Sequence, residues 1–235
     1  MDSVNFNQYE SASEGAVSKT FMARVFTWMF VALGVTALIS YLFASTPSLF
    51  RLLVDETGAV SSLFYIAVFA PLAFVLVINF GFERLSFEVI TGLFMAYALV
   101  MGISLSVILR YYAGAIVFQA FLVSSASFGA MAVLGYTTNT DLTKLGSILY
   151  IALFGVIIAS IFSIFTGGDT FIIDVICVII FTGLTAYKVQ MLKNLSAQAT
   201  DETHGKKMAI WGAMSLYITF INLFLTILRL VGRRR

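Results

Sequence analysis

Ser215, Thr219, Asn222, Thr226 and Arg229 follow Gly212 in steps of three and four along an apolar run near the C-terminus. At about 100° per residue, a helix gathers Ser215 through Arg229 into an arc of roughly 80°. Leu216, Ile218, Phe220, Ile221, Leu223, Phe224 and Leu225 cover the rest of its circumference. An edge of this kind allows two chemistries. It can be a close-packing seam whose hydroxyls bond to backbone, or it can line a water-accessible path for ions. Asn222 adds weight to the path, because its amide needs several partners. Residue types alone leave both open.

Lys188 is the lysine that lies well inside an apolar run, about three residues from where that run ends. Its stem is long enough to carry the ammonium to the interface. Alternatively it turns inward, toward the polar edge of the following run. Asp174, Cys177, Phe181 and Thr185 share its helical face. Asp174 and Lys188 are 14 residues apart, hence about 21 Å along a helix. The two cannot pair directly.

Other chemistries find no residues to carry them. The sequence has no H-E-x-x-H, no G-x-S-x-G and no glycine-rich phosphate loop. One cysteine, Cys177, and one histidine, His204, cannot build a cysteine or histidine metal cage. Cys177 reads as a small buried hydrophobe, and His204 as a solvated residue of a polar loop. No enzyme, cofactor or metal site is expected. A net charge of +2 without a long basic run gives no reason to expect nucleic acid.

The elements that carry these residues follow from composition. Of the 235 residues, 60% are hydrophobic and 11% charged, against roughly 25% charged in soluble domains. Mean hydropathy is +0.98. Seven apolar stretches stand out, at about 20–43, 61–80, 87–109, 113–135, 145–166, 171–191 and 207–231. Each is long enough to cross roughly 30 Å of hydrocarbon. Lipid offers the backbone no hydrogen bonds and these runs do not alternate, so helices rather than barrel strands are expected. The predicted fold is all-α and integral to the membrane, a bundle of seven transmembrane helices. The organisation is a polar tail over 1–19 (disordered through Ser18), a membrane domain over 20–232 and a basic end over 233–235.

Between the spans, Ala44–Val60 can be a short interfacial helix or a packed loop, and Asn194–Lys207 reads as a polar loop. Pro71 falls inside the second span, where a kink is expected. Ser124, Ser125, Ala126, Ser127, Gly129, Ala130 and Ala132 favour close packing of the fourth span over a polar conduit. No internal repeat supports an inverted-repeat transporter. Lysines and arginines divide almost evenly between the two sides, so the positive-inside rule sets no orientation. The first apolar run is a full span behind a polar, slightly acidic start, so it reads as a retained helix and not a cleaved signal.

Four stretches together resemble the Bax inhibitor-1, or transmembrane Bax inhibitor motif, family. Met101-Gly102-Ile103-Ser104-Leu105-Ser106 is similar to the family's M-G-x-[ST]-L-S. Thr140-Asp141-Leu142-Thr143, followed by Leu145-Gly146, resembles T-x-x-D-L-S-x-L-G, with two residues fewer between Thr and Asp. Gly183-Leu184-Thr185-Ala186-Tyr187 matches G-L-x-A-Y. Leu216 through Phe224 resembles L-Y-L-D-F-I-N-L-F. The resemblance runs from about residue 20 to 232. It implies a bundle with the last helix near the centre, surrounded by the other six. It also implies calcium leak, suppression of cell death or stress handling, and, for one bacterial branch, modulation of a membrane-bound AAA protease. The expected partners are therefore the lipid bilayer, a cation, and a membrane protease or other membrane protein. The short loops suggest a bacterial inner (plasma) membrane.

The chain departs from the family where the family's acids stand. The family's A-Y-D-T-Q is Ala186-Tyr187-Lys188-Val189-Gln190 here, and the aspartate of L-Y-L-D-F is Thr219. In the family those acids form the carboxylate pair proposed to sense pH and gate calcium. Two carboxylates sharing a site titrate in split steps, and they offer a hard divalent cation its oxygens. A lysine and a threonine do neither. The expectation is a channel-type scaffold whose acid-pair gate is replaced, with Lys188, Thr219, Asn222, Ser215, Thr226 and Arg229 as candidate gate or pathway residues. The rival is a non-conducting regulator of membrane proteolysis or stress responses.

Overall fold

Apolar runs of this length have one solution in hydrocarbon, and the chain takes it seven times. The computed structural model describes residues 6–55, 58–196 and 202–233. Its elements are α1 (Phe6–Ser45), α2 (Pro47–Phe50), α3 (Ser62–Gly81), α4 (Phe87–Tyr111), α5 (Gly114–Thr137), α6 (Thr143–Thr166), α7 (Phe171–Ser196) and α8 (Glu202–Gly232). All but α2 contain a stretch long and apolar enough to cross a membrane.

Short polar side chains punctuate the spans. Ser61 and Ser86 accept the backbone N–H groups of Phe64 and Val89, covering donors that a helix start leaves open. Asp141 accepts the Thr143 N–H at 2.9 Å and Asp169 the Phe171 N–H at 3.0 Å, just before α6 and α7. Gly167, at φ +66°, ends α6 in the left-handed conformation that glycine adopts without strain. The Ala44–Val60 segment contains α2, and an antiparallel bridge joins Val54 to Val60. Leu53 and Val54 are buried there against Val107 of α4. Pro71 is buried inside α3, which is assigned as one helix from Ser62 to Gly81.

The last helix occupies the centre. In its most apolar window 61% of residues are buried, against 11% in that of α6. It packs against α1, α4, α5 and α7, while α3 lies mainly on α4 and α6 on α7. The expected ring of six around α8 is therefore an inner set of four and two outer helices. The outer pair presents Phe80, Ile151, Phe154, Ile158 and Phe165 outward. Such a surface is suited to acyl chains and not to water.

Two boundaries correct the sequence reading. Helix α1 begins at Phe6, so residues 6–18 are helical where a disordered tail was expected; residues 1–5, 234 and 235 lie outside the described residues. The expected loop Asn194–Lys207 shrinks because α7 runs to Ser196 and α8 starts at Glu202. His204 is thus helical and half-buried, its ring edge-on to Phe82 with centroids 6.2 Å apart. Polar residues fit these helix ends because the ends stand beyond the apolar windows.

Candidate functional site at the α7–α8 seam

The polar edge of α8 faces the polar face of α7. Both helices run antiparallel, and Lys188 and Asp174 are as far apart on α7 as Ser215 and Arg229 are on α8. One register therefore sets two contacts. The Lys188 ammonium donates to Thr219 Oγ1 at 2.8 Å and to the Ser215 carbonyl at 3.1 Å. At the other end Arg229 Nε donates to Asp174 Oδ1 at 2.9 Å.

Of the two readings for Lys188, the inward one holds. The residue is buried, and it lies about 12 Å from the last residue of α7. Its ammonium is turned to α8 and spent on Thr219 and Ser215. Among the described residues none of the ion pairs includes Lys188. Its charge rests on a hydroxyl and a carbonyl. A buried cation without a counter-charge is costly, which makes the position a functional candidate in its own right.

The rest of the edge is closed mostly upon itself. Thr219 Oγ1 accepts from Lys188 and donates to the Ser215 carbonyl at 2.9 Å. Thr226 donates to Asn222 O at 2.7 Å, and Asn222 Nδ2 to Ile218 O at 2.8 Å. These are bonds from a side chain to the preceding turn of its own helix, the arrangement expected of a packing seam. Thr219 and Thr226 are buried, Ser215 and Asn222 half-buried.

Arg229 is not left at the rim. It bonds Asp174, which is 2% exposed, and reaches Thr226 Oγ1 at 3.4 Å. Arg233 adds a second cation beside Asp174 Oδ2 at 3.4 Å and also binds Asp169 and Thr170. Asp169, outside the spans, is held below the usual carboxylate range, first by the Phe171 N–H and then by Arg233.

Sequence reasoning missed three further ties. Tyr217 is completely buried, with its OH 2.7 Å from Thr36 Oγ1, which itself donates to the Ala98 carbonyl at 2.9 Å. Since the threonine proton is committed, the tyrosine donates. Its ring stands edge-on to Phe94 and Tyr97, at 5.8 and 5.4 Å. Gln190 accepts the Leu142 N–H at 2.8 Å and donates to Thr140 O at 2.7 Å. Lys193 donates to Tyr136 O at 2.8 Å. The α5–α6 loop is thereby stitched to the end of α7. The matched motifs supplied a signal for Gln190 and the loop, but none for their pairing.

Close approach is selective. Gly135 stands against the backbone of Ala186, and Gly102 against Thr36 O and Ile39 of α1. Of the small residues of α5 singled out above, Ser124 and Ala132 are buried, whereas Gly129 and Ala130 face outward.

The family model described as "Inhibitor of apoptosis-promoting Bax1" matches residues 18–235. The chain belongs to the Bax inhibitor-1 family. It is 38% identical over 221 residues to the inner membrane protein YbhL of Escherichia coli K12, covering 92% of this chain and 93% of that one. An uncharacterized protein of Borreliella burgdorferi is 36% identical over 230 residues, covering 96% and 97%. Protein RP147 of Rickettsia prowazekii is 34% identical over 219 residues, covering 92% and 91%. The expected location, integral to a bacterial inner membrane, agrees with that of the Escherichia relative. Within this Bax inhibitor-1 fold, Lys188 and Thr219 stand where the resemblance places the two acids, and here they touch each other.

Proposed function

We propose that this Bax inhibitor-1 family protein is a cation-leak scaffold of the calcium type whose acid-pair gate has been replaced by a lysine latch. Its role is not catalytic. Lys188, held on Thr219 and Ser215, stands as a fixed positive charge at the seam between the central helix and α7. A positive charge there repels a divalent cation, and among the described residues no carboxylate pairs with it to offer oxygen ligands. Mild acid has no carboxyl pair to protonate, so a shift from neutral to acid pH does not open the seam.

One observation carries this reading: the buried ammonium lies 2.8 Å from Thr219 Oγ1. Calcium flux from purified protein in liposomes, at neutral and mildly acid pH, tests it. The unmodified protein should show little flux at either pH, and Lys188→Asp with Thr219→Asp should gain acid-gated flux. Strong acid-gated flux in the unmodified protein would defeat the proposal.

A second reading has its own support. Thr219, Asn222 and Thr226 bond within their own helix, as befits a dry seam. On that reading the chain regulates membrane proteolysis or stress responses through a protein partner and conducts nothing. Absence of flux in both the unmodified and the double-aspartate protein, with loss of the cellular phenotype on deleting residues 1–18, would favour it.

A further inference from the structure

Where α1, α4 and α8 enter their spans, on one side of the bundle, they frame a recess of about 470 Å³. It is the size of small-molecule sites. Arg24 and Trp28 line it from α1, Phe87 and Glu88 from α4, and Lys206 and Ala209 from α8. The three spans start at Lys19, Phe87 and His204. Glu88 and Lys206 therefore stand within one turn of a span's start, and Arg24 about 7.5 Å inside. The headgroup zone of a bilayer is roughly 5–7 Å deep on each side, so these charged walls lie at headgroup level. Trp28, one turn beyond Arg24, and Phe87 supply the apolar surface.

The charges of the recess are unequally engaged. Lys206 holds Glu202 at 2.8 Å, which uses one of its three N–H donors. Arg24 and Glu88 are exposed on the walls, and among the described residues neither enters an ion pair, with the other or with any third group. Glu202, outside the spans, is held below the usual carboxylate range first by Lys206, and Arg24 is the least of the influences on it. The Arg24 guanidinium thus keeps its fork of donors, a shape suited to phosphate. Opposite charges that line one cavity without touching cannot both be satisfied by an ion of a single sign. A bare anion leaves Glu88 facing like charge, and a bare cation does the same to Arg24. A molecule that carries both a phosphate and an ammonium answers each wall.

We propose that the recess binds the headgroup of an aminophospholipid of the phosphatidylethanolamine type, its phosphate on Arg24 and Lys206, its ammonium on Glu88 and its glycerol end beside Trp28. The depth of the charged walls favours a lipid over a soluble molecule with the same two groups. The recess shares no residue with the Lys188 seam and does not depend on how that seam works.

The chain has two tryptophans, so Trp211→Phe leaves Trp28 as a reporter on the wall of the recess. Its emission in maltoside micelles is titrated with phosphatidylethanolamine, with phosphatidylglycerol of the same acyl chains, and with chain-free phosphoethanolamine. Phosphatidylethanolamine should saturate the change in emission and bind about tenfold more tightly than phosphatidylglycerol, as for one charge-assisted contact. Glu88→Gln should erase that preference by weakening phosphatidylethanolamine alone. Arg24→Gln should weaken both lipids about tenfold, and Arg24→Lys should restore part of the loss. Should Trp211→Phe fail to fold, native mass spectrometry of the chain with both tryptophans counts bound lipid in the same series. Equal affinity for the two lipids overturns the proposal. So does a preference that survives Glu88→Gln, or binding unchanged in Arg24→Gln. Phosphoethanolamine binding as tightly as the lipid overturns it too, and marks a site for a soluble ligand.

Discussion

Arg229 of the central helix holds Asp174 of its neighbour at 2.9 Å, although the arginine side chain is 47% exposed and the aspartate 2%. The asymmetry decides what breaking the pair costs. Removing the arginine strands most of a buried negative charge, leaving it Arg233 at 3.4 Å. Arg229→Met should therefore destabilise by about 3 kcal/mol, the low end for breaking a buried pair. Asp174→Asn should cost less, because the freed arginine can reach solvent. Denaturant titration in micelles checks the order.

Lys188 and Thr219 allow a sharper comparison. Thr219→Val removes one of the two acceptors of a buried ammonium, a loss of about 1.5–3 kcal/mol for a bond to a charged group. Lys188→Met keeps length and apolar stem and leaves Thr219 bonded to Ser215 O. It should be nearly neutral or stabilising. Adding Lys188→Met to Thr219→Val should recover most of the loss, giving a coupling that a double-mutant cycle reads directly.

Tyr217 and Thr36 form a directional pair. Tyr217→Phe deletes a donor and leaves Thr36 still bonded to Ala98 O, so about 1 kcal/mol is lost. Thr36→Val leaves the tyrosine hydroxyl buried without an acceptor and should cost about 1–3 kcal/mol. Thr36→Val in the Tyr217→Phe background should cost less than in the unmodified protein. Thermal unfolding of the four proteins decides it.

Two glycines of α5 should behave oppositely. Gly135→Ala drives a methyl into the Ala186 backbone and should destabilise by about 1–3 kcal/mol, as overpacking does. At Gly129 an added carbon meets nothing within 4 Å, so Gly129→Ala should stabilise by up to about 1 kcal/mol through helix propensity. The same unfolding measurement reads both.

Asp169 gives a pH prediction. Its carboxyl is lowered in the folded protein by the Phe171 N–H and Arg233. A lowered acid contributes stability that is complete above its unfolded value, about 3.9, and is lost as pH falls through the folded value. The difference in thermal midpoint between the unmodified protein and Asp169→Asn should be constant from pH 8 to 5. It should close only below about pH 4.

The spans were legible because a long apolar run in lipid has a single backbone solution. The polar edge of α8 was legible because its spacing is helical. The direction of Lys188 was not, since its partners Ser215 and Thr219 belong to α8 and no pattern within α7 encodes them. Asp174 and Arg229 were both visible, but their contact depends on the antiparallel register of two spans, which no local pattern encodes. Tyr217 was hidden for a similar reason: within an apolar run its ring reads as one more hydrophobe, and its acceptor belongs to α1. The small residues of α5 showed that something packs closely, but the closest approach falls at Gly135, outside that cluster, while Gly129 meets nothing.

The most enclosed of the seven spans is also the one that follows the other six in the sequence. While the first six spans are already in the bilayer, Tyr97, Thr36 and Lys188 have no Tyr217, Ser215 or Thr219 to meet, so the earlier helices wait around an unfilled groove. Assembly therefore completes only after α8 has left the ribosome, and a nascent protein arrested before residue 202 exposes polar groups to lipid. Delivery of α8 is thus the step that commits the bundle to closure.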